Sequence, residues 1–417
     1  MSDVVDRFVR YCAVASQSDP LTADHVPSTE SQFKIAEVIA DDLRELGAPD
    51  VKVDEHAYVT AHWPASEGCV ELPTLGFCCH IDTAWQSWGD PVHPLIRRYE
   101  GGEFVIGQGR DGRPVVISPA TNPQLEHLAG TELVTADGTS LLGGDDKAGD
   151  AMCVSLLARL KADPSLPHPR LAFAFVPDEE IGHGAALLDL GEFGATFGYT
   201  IDGGPLGEFC YETFNAAEAH VRARGLSVHT GTAKATMINA SEAIMRFHQL
   251  VPPAERPEFT EGYDGFFYLE RMEGSCEEAS ADYIIRDHDQ AQMERRAQIL
   301  RDAVQLVNAQ FGTDVLSIEI HDQYRNLADV VCLPENAHLI ENARSAYAAI
   351  GQEMTCIPMR GGTDGSQLSF RGFACANLSA CYYNAHGVRE FVPVRELESM
   401  VDMLQALVGL YARPQTA

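Results

Sequence analysis

Residues 75–83 read LGFCCHIDT. The nearly continuous apolar run from Leu72 to Cys79 is too short for an ordinary helix and stops at His80 and Asp82, which predicts a strand buried on both faces of a parallel sheet. Along a strand the side-chain period is two, so His80 and Asp82 point the same way from its end. A carboxylate there can take the second N–H of a metal-ligating imidazole, fixing its tautomer. The same pair read by itself fits an ordinary surface loop equally well.

Working outward, two more runs of this kind, Leu171 to Val176 and Phe197 to Ile201, also end in acids. Between the first two lies Lys147 to Lys161, with Met152, Leu156, Leu157 and Leu160 on one helical face. Upstream, Thr29 and Gln32 form a capping box before Phe33, Ile35, Ala36, Ile39, Leu43 and Leu46, a helix that Gly47 stops. Strands and helices thus alternate as an α/β sheet requires, and sites in such sheets lie beyond the carboxyl ends of the strands.

From about Phe214 to Asn326 the texture changes. Alternating segments such as AEAHVRARGL and ASADYIIRDHD flank helical stretches at Ala240 to Leu250 and Gln290 to Asn308. Met359 to Asn377 then returns to Gly-rich loops and short apolar strands, and a helical stripe of Leu397, Val401, Leu404 and Val408 follows. The expected layout is a catalytic domain in two parts, 1–213 and 327–417, interrupted by an α+β lid at 214–326.

Length and charge bound the function. A chain of 417 residues exceeds one comfortable core, and 45% apolar residues suffice to fold it. The formal charge of −31 repels phosphate backbones and anionic lipids, so neither nucleic acid nor membrane is an expected partner. The acidic, amphipathic start MSDVVDRFVRYCAVASQSD lacks the pattern of a secretory signal, and no apolar run reaches bilayer length. Eleven scattered cysteines without a C-x-x-C pair fit reduced thiols and a cytoplasmic protein.

The remaining motifs supply donors. In TSLLGGDDKAGD, Gly143 and Gly144 lead into Asp145, Asp146 and a helix starting near Lys147, where an aspartate either caps the helix or bridges two metals. In AFAFVPDEEIGHG a buried strand delivers Asp178, Glu179 and Glu180 in succession, a repulsive arrangement unless cations or protons compensate. One of these glutamates can ligate while its neighbour moves protons. YTIDGG ends a strand with Asp202, and NAHGVRE puts His386 in a loop. Two histidines and several carboxylates, mostly at strand ends of one sheet, make the mixed nitrogen and oxygen set suited to zinc or related divalent ions.

Taken together, LGFCCHIDT, LLGGDDKAG, VPDEEIG, YTIDGG, VHTGTAK, TEGYDGF, YIIRD, RGGTDGSQLSF and the NAHG loop resemble the peptidase T family, within the superfamily of two-zinc aminoacylases and glutamate carboxypeptidases. The resemblance runs from the PSTE segment to the C-terminal helix. It implies a mostly parallel mixed sheet sandwiched by helices, the two-zinc exopeptidase fold, and two divalent metal ions, zinc by expectation. It also implies that Asp145 bridges the ions, with His80 and Asp202 on one and Glu180 and His386 on the other, and that the Asp145–Asp146 peptide is cis. Asp82 would orient His80. Glu179 would be the general base as metal-bound hydroxide attacks the first peptide bond of a tripeptide and releases its N-terminal residue. His229 would help hold the oxyanion, sometimes across a homodimer in relatives, while Arg360 would bind the peptide's terminal carboxylate and Arg286 would be a further substrate contact.

The chain departs from the family pattern in places. Thr230 replaces the proline after the lid histidine, Ala380 to Tyr383 stand where relatives carry glycines, and Val388–Arg389 replaces a Lys-His pair. These changes surround His386 and bear on substrate preference. A carboxypeptidase or N-acyl amino acid deacylase would use the same fold and ligands, and a non-catalytic peptide-binding protein could retain the scaffold.

Overall fold

The computed structural model describes residues 2–413. Its chain segments gather into two compact units. The first comprises the residues up to Tyr211, Val330–Ile357 and those from Thr363 on, and the second comprises Glu212–Asp329 with Pro358–Gly362.

The first unit is built on an eight-stranded sheet in the order Lys52–Val53, Val59–Trp63, Leu171–Val176, Leu75–His80, Phe197–Gly203, Ala374–Ser379, Glu208–Cys210, Thr355–Cys356. The four central strands run parallel, while Val59–Trp63 and Glu208–Cys210 join them antiparallel. Every residue of Leu75–His80 and Leu171–Val176 is buried, as expected of strands covered on both faces. Phe77 stacks on Phe173 at 5.6 Å, and full burial of such a ring contributes about 2 kcal/mol. The helix Gly144–Ala162 covers that face, bringing Cys153 Sγ to 3.6 Å from Cys79 Sγ. On the other face Cys78, Ala172, Ala174 and Cys375 pack with Leu368 of the helix Asp364–Phe370. The sheet is therefore sandwiched by helices.

Register brings the chemistry into line. Cys78 pairs with Thr200 and His80 with Val176, so two further residues carry His80 level with Asp202, and the turn after Val176 begins beside both.

Three local features differ from the sequence expectation. The strand begins at Leu75, three residues after Leu72, because Leu72 closes a turn onto Cys69 and Pro73 has no N–H to give a ladder. The helix Ser31–Leu46 does end on Gly47 at φ 87°, but Thr29 and Gln32 make no capping box. Thr29 Oγ1 donates to Gln17 O, and Asp178 takes up the buried Gln32 amide: its NH2 donates to the carboxylate at 2.6 Å, and its Oε1, the atom a capping box would use, accepts Asp178 N–H at 3.1 Å. Within 359–377, read as loops and strands, lies the helix Asp364–Phe370 capped by Thr363, too short to show a period behind its glycines.

The second unit is an antiparallel four-stranded sheet, ordered Phe266–Gly274, Glu278–Asp287, Asn215–Arg224, Leu316–Tyr324. Ala217, Ala219, Val221, Ala281, Tyr283 and Ile285 alternate onto one face, beneath the helices Ala240–Leu250 and Gln290–Phe311.

Candidate metal centre

Asp145 lies at the start of the helix Gly144–Ala162, in a non-helical conformation at φ −80°, ψ 103°, and its peptide to Asp146 is cis. Its Oδ1 is 2.9 Å from His80 Nε2 and its Oδ2 is 3.1 Å from His386 Nε2. His386 Nε2 also lies 3.1 Å from Glu180 Oε2, and His80 Nε2 is 3.6 Å from Asp202 Oδ1. The five side chains His80, Asp145, Glu180, Asp202 and His386 thus converge, with Asp145 in the middle.

Asp146 turns the other way. Its two oxygens accept the N–H groups of Gly149 and His80, both at 3.2 Å, so it is the helix-capping acid of the pair. Gly149 has to be glycine for this approach, because a Cβ there would sit 2.4 Å from Ile201 O.

Asp82 is fully buried and serves two groups. Its Oδ1 stands 3.3 Å from His80 Nδ1, while Oδ1 and Oδ2 accept the backbone N–H of Glu179 at 3.0 Å and of Glu180 at 3.2 Å. The turn bearing those glutamates starts from Asp178, at φ 58°, whose carboxylate accepts Ser28 N–H, Ser28 Oγ–H and the Gln32 amide, each at 2.6 Å. Glu390 is buried too: Oε2 accepts Leu142 and Gly143 N–H at 2.9 and 2.8 Å, and Oε1 accepts Asp145 N–H at 3.0 Å. The sequence reading missed Asp178 as an anchor and Glu390 altogether. Single acids in a chain with 61 of them carry no distinguishing signal.

Electrostatics test whether cations fit here. Burial, then neighbouring acids, raises Glu180 to about 7 and Asp202 to about 6, and pushes Glu179 well above the usual carboxylate range, Asp202 being the like charge that raises it most. Burial alone would raise Asp145 as well, but its contacts with His386 and His80 hold it well below the ordinary value. Glu180 Oε1 is buried with no hydrogen-bond partner, an acceptor lacking a positive group. Donor atoms of His80, Asp145 and Glu180 lie within 4.8 Å of one another, as do those of His80, Asp146 and Asp202. An imidazole and carboxylate set with excess negative charge and an orphaned oxygen fits divalent cations.

Residues 136–409 match the family described as peptidase family M20/M25/M40. The chain belongs to that family. Over 410 residues, 98% of both chains, this M20 peptidase is 40% identical to peptidase T of Geobacillus thermodenitrificans, and over 415 residues, 99% of it, 37% identical to peptidase T of Alkaliphilus oremlandii. Among solved structures it resembles the aminopeptidase PepT of Bacillus cereus (TM-score 0.76, 22% identity, 99% and 98% of the two chains covered). It also resembles a dinuclear metal-binding M20 peptidase of Bacillus subtilis (TM-score 0.65, 11% identity, 98% and 97% covered), at the level of fold. This M20 chain is a metal-dependent peptidase, and its substrates are peptides.

The other residues singled out from the sequence belong to the second unit. His229 is exposed, and its Nδ1 accepts Gly231 N–H at 3.1 Å. Arg286 donates to Ile285 O at 3.0 Å and lies over the Tyr324 ring. Arg360 donates to Gly262 O, Asp264 O and Thr260 Oγ1 at 3.0, 2.7 and 2.8 Å, above the Phe214 ring. Among the described residues no helix is long and apolar enough to cross a membrane.

Proposed function

We propose that this M20 peptidase removes the N-terminal residue from tripeptides, with two divalent cations held by Asp145 between them, His80 and Asp202 on one side and Glu180 and His386 on the other. The observation that carries the reading is Asp145, whose two carboxylate oxygens each face a different histidine, at 2.9 and 3.1 Å. Relatives named peptidase T over the full length support the substrate class. The nitrogen and oxygen donors favour zinc.

Bound there, the cations supply Lewis-acid polarisation of the scissile carbonyl and an acidified water. Glu179 is the proton carrier. It has no place among the paired donors, its carboxyl is raised so that it holds a proton readily, and Asp82 fixes its backbone. It takes the proton from the attacking water and returns it to the leaving amine. Asp82 sets the His80 ring so that Nε2 faces Asp145 and Asp202. In the second unit, Arg360 keeps Nε–H and one Nη2–H beyond its three bonds, the donors a terminal carboxylate would use. His229 is assigned to the oxyanion and Arg286 to a further substrate contact, with a homodimer as the assembly in which His229 acts. Scattered cysteines without a C-x-x-C pair fit a cytoplasmic enzyme.

The test is a free tripeptide assayed beside its N-acetylated form, with metal content measured on the same sample. Two metals per chain and cleavage of the free peptide alone are expected. Hydrolysis of the blocked form would place the chain with carboxypeptidases or deacylases, and metal without hydrolysis of any peptide would return it to a binding role.

A further inference from the structure

Resting on that ligand assignment, we infer that Tyr382 is a positioning residue for Asp202, and that its phenol tunes the cation held by His80 and Asp202. It stands in the segment where the sequence departs from its family by replacing glycines.

Two independent contacts place it. The Tyr382 hydroxyl donates to Asp202 O at 3.0 Å and lies 3.4 Å from Asp202 Oδ1, the same oxygen that faces His80 Nε2 at 3.6 Å. At the other end of the residue, a Cβ built on Gly144 would sit 3.2 Å from Tyr382 Cβ, so the tyrosine packs directly on the residue preceding Asp145. Tyr382 therefore spans from the loop of the central carboxylate to the strand end of the outer one.

The backbone around it is fitted to that span. Cys381 is buried at φ 64°, a left-handed conformation that β-carbon residues adopt reluctantly, and it is held by Ala380 N–H on Gly203 O at 2.6 Å and Cys381 N–H on Gly204 O at 2.9 Å. Those bonds lay the segment along the two glycines that follow Asp202 and aim the next side chain back at it. Asp202 is also anchored through its N–H, which donates to Asn377 Oδ1 at 3.0 Å. Its Oδ1 stands between the His80 ring and the Tyr382 hydroxyl, so the phenol favours the carboxylate orientation that presents that oxygen to Nε2. Shared between Asp202 O and Oδ1, the phenol's one hydrogen ties the carboxylate to its own strand end and draws off part of its charge.

Tyr382→Phe keeps the Cβ contact with Gly144 and removes only the hydroxyl. Metal-free wild type and variant are titrated with Co2+ by calorimetry and by the visible spectrum of the bound ion, alongside melting of the metal-free proteins and steady-state kinetics on a tripeptide. The expected result is one of two binding steps weakened by about 10-fold or more, with a changed cobalt spectrum, a lowered kcat, an unchanged KM and the same metal-free melting temperature. Two unaltered binding steps in the variant overturn the inference. A normal Tyr382→Phe beside a Tyr382→Gly that loses metal also overturns it, leaving packing on Gly144 as the residue's whole role. Wild type that binds no pair of ions overturns the ligand assignment itself, a separate outcome read from the unmutated protein.

Discussion

The amide N–H of Glu179 donates to Asp82 Oδ1 at 3.0 Å, so the acid beside the His80 ring also fixes the turn on which the proposed base stands. Ligand orientation and proton transfer share one carboxylate. Asp82→Asn puts an NH2 where an oxygen now accepts a backbone N–H. It should weaken metal binding by about 10- to 100-fold and cost about 1–3 kcal/mol of stability, measured by metal titration and thermal melting. Normal metal affinity in this variant would contradict the shared role.

Glu179→Gln removes the proton carrier and leaves all five proposed ligands. Turnover should fall by about 10²- to 10⁴-fold with two metals still bound, read by kinetics and elemental analysis on one preparation. Near-normal turnover would remove Glu179 from the mechanism.

Chelation should lower stability as well as activity, because desolvation and neighbouring acids already raise Glu180, Asp202 and Glu179 against the opposing pull of the two histidines. Free metal at about 100 times its dissociation constant should restore about 2.7 kcal/mol, seen as a rise in melting temperature with added metal. A melting temperature indifferent to metal would contradict the ligand cluster.

Outside the centre, Asp42 accepts Tyr11 Oη–H, Arg10 and Arg7 at 2.5, 2.5 and 2.6 Å, tying the helix Asp3–Cys12 to the helix Ser31–Leu46. Burial alone would raise its pKa, but Arg10, Tyr11 and Arg7 bring it below the ordinary carboxylate value. A depressed folded-state pKa contributes stability that is present above the unfolded value of about 4 and is lost as pH falls through the folded one. Asp42→Asn should therefore melt lower than wild type at pH 7, and the gap should narrow below about pH 4. A gap constant with pH would argue for packing in place of charge.

Much of this was legible in the sequence because the central strands are buried on both faces and announce themselves as apolar runs ending in His80, Asp178 or Asp202. The convergence of His80, Glu180 and Asp202 follows from those ends lying side by side, while Asp145 comes from a helix start and His386 from a loop. What was hidden depends on contacts between distant segments. Nothing in DD says that Asp145 faces the histidines while Asp146 caps a helix, since two neighbouring identical residues differ only in backbone direction. Gln32 looked like half of a capping box until the Asp178 carboxylate, 146 residues away, gave its amide a better partner. Glu390 reads as one more surface acid until three backbone N–H groups are found on it.

His386 reaches Asp145 across 241 residues of chain, and Glu390 follows it on the same segment to grip the Asp145 loop from behind. During synthesis the other four proposed ligands emerge from the ribosome long before His386 and its neighbour Glu390. A chain that stopped short of His386 and Glu390 would carry His80, Glu180 and Asp202 yet leave the Asp145 loop without the imidazole in front of it and the carboxylate behind it.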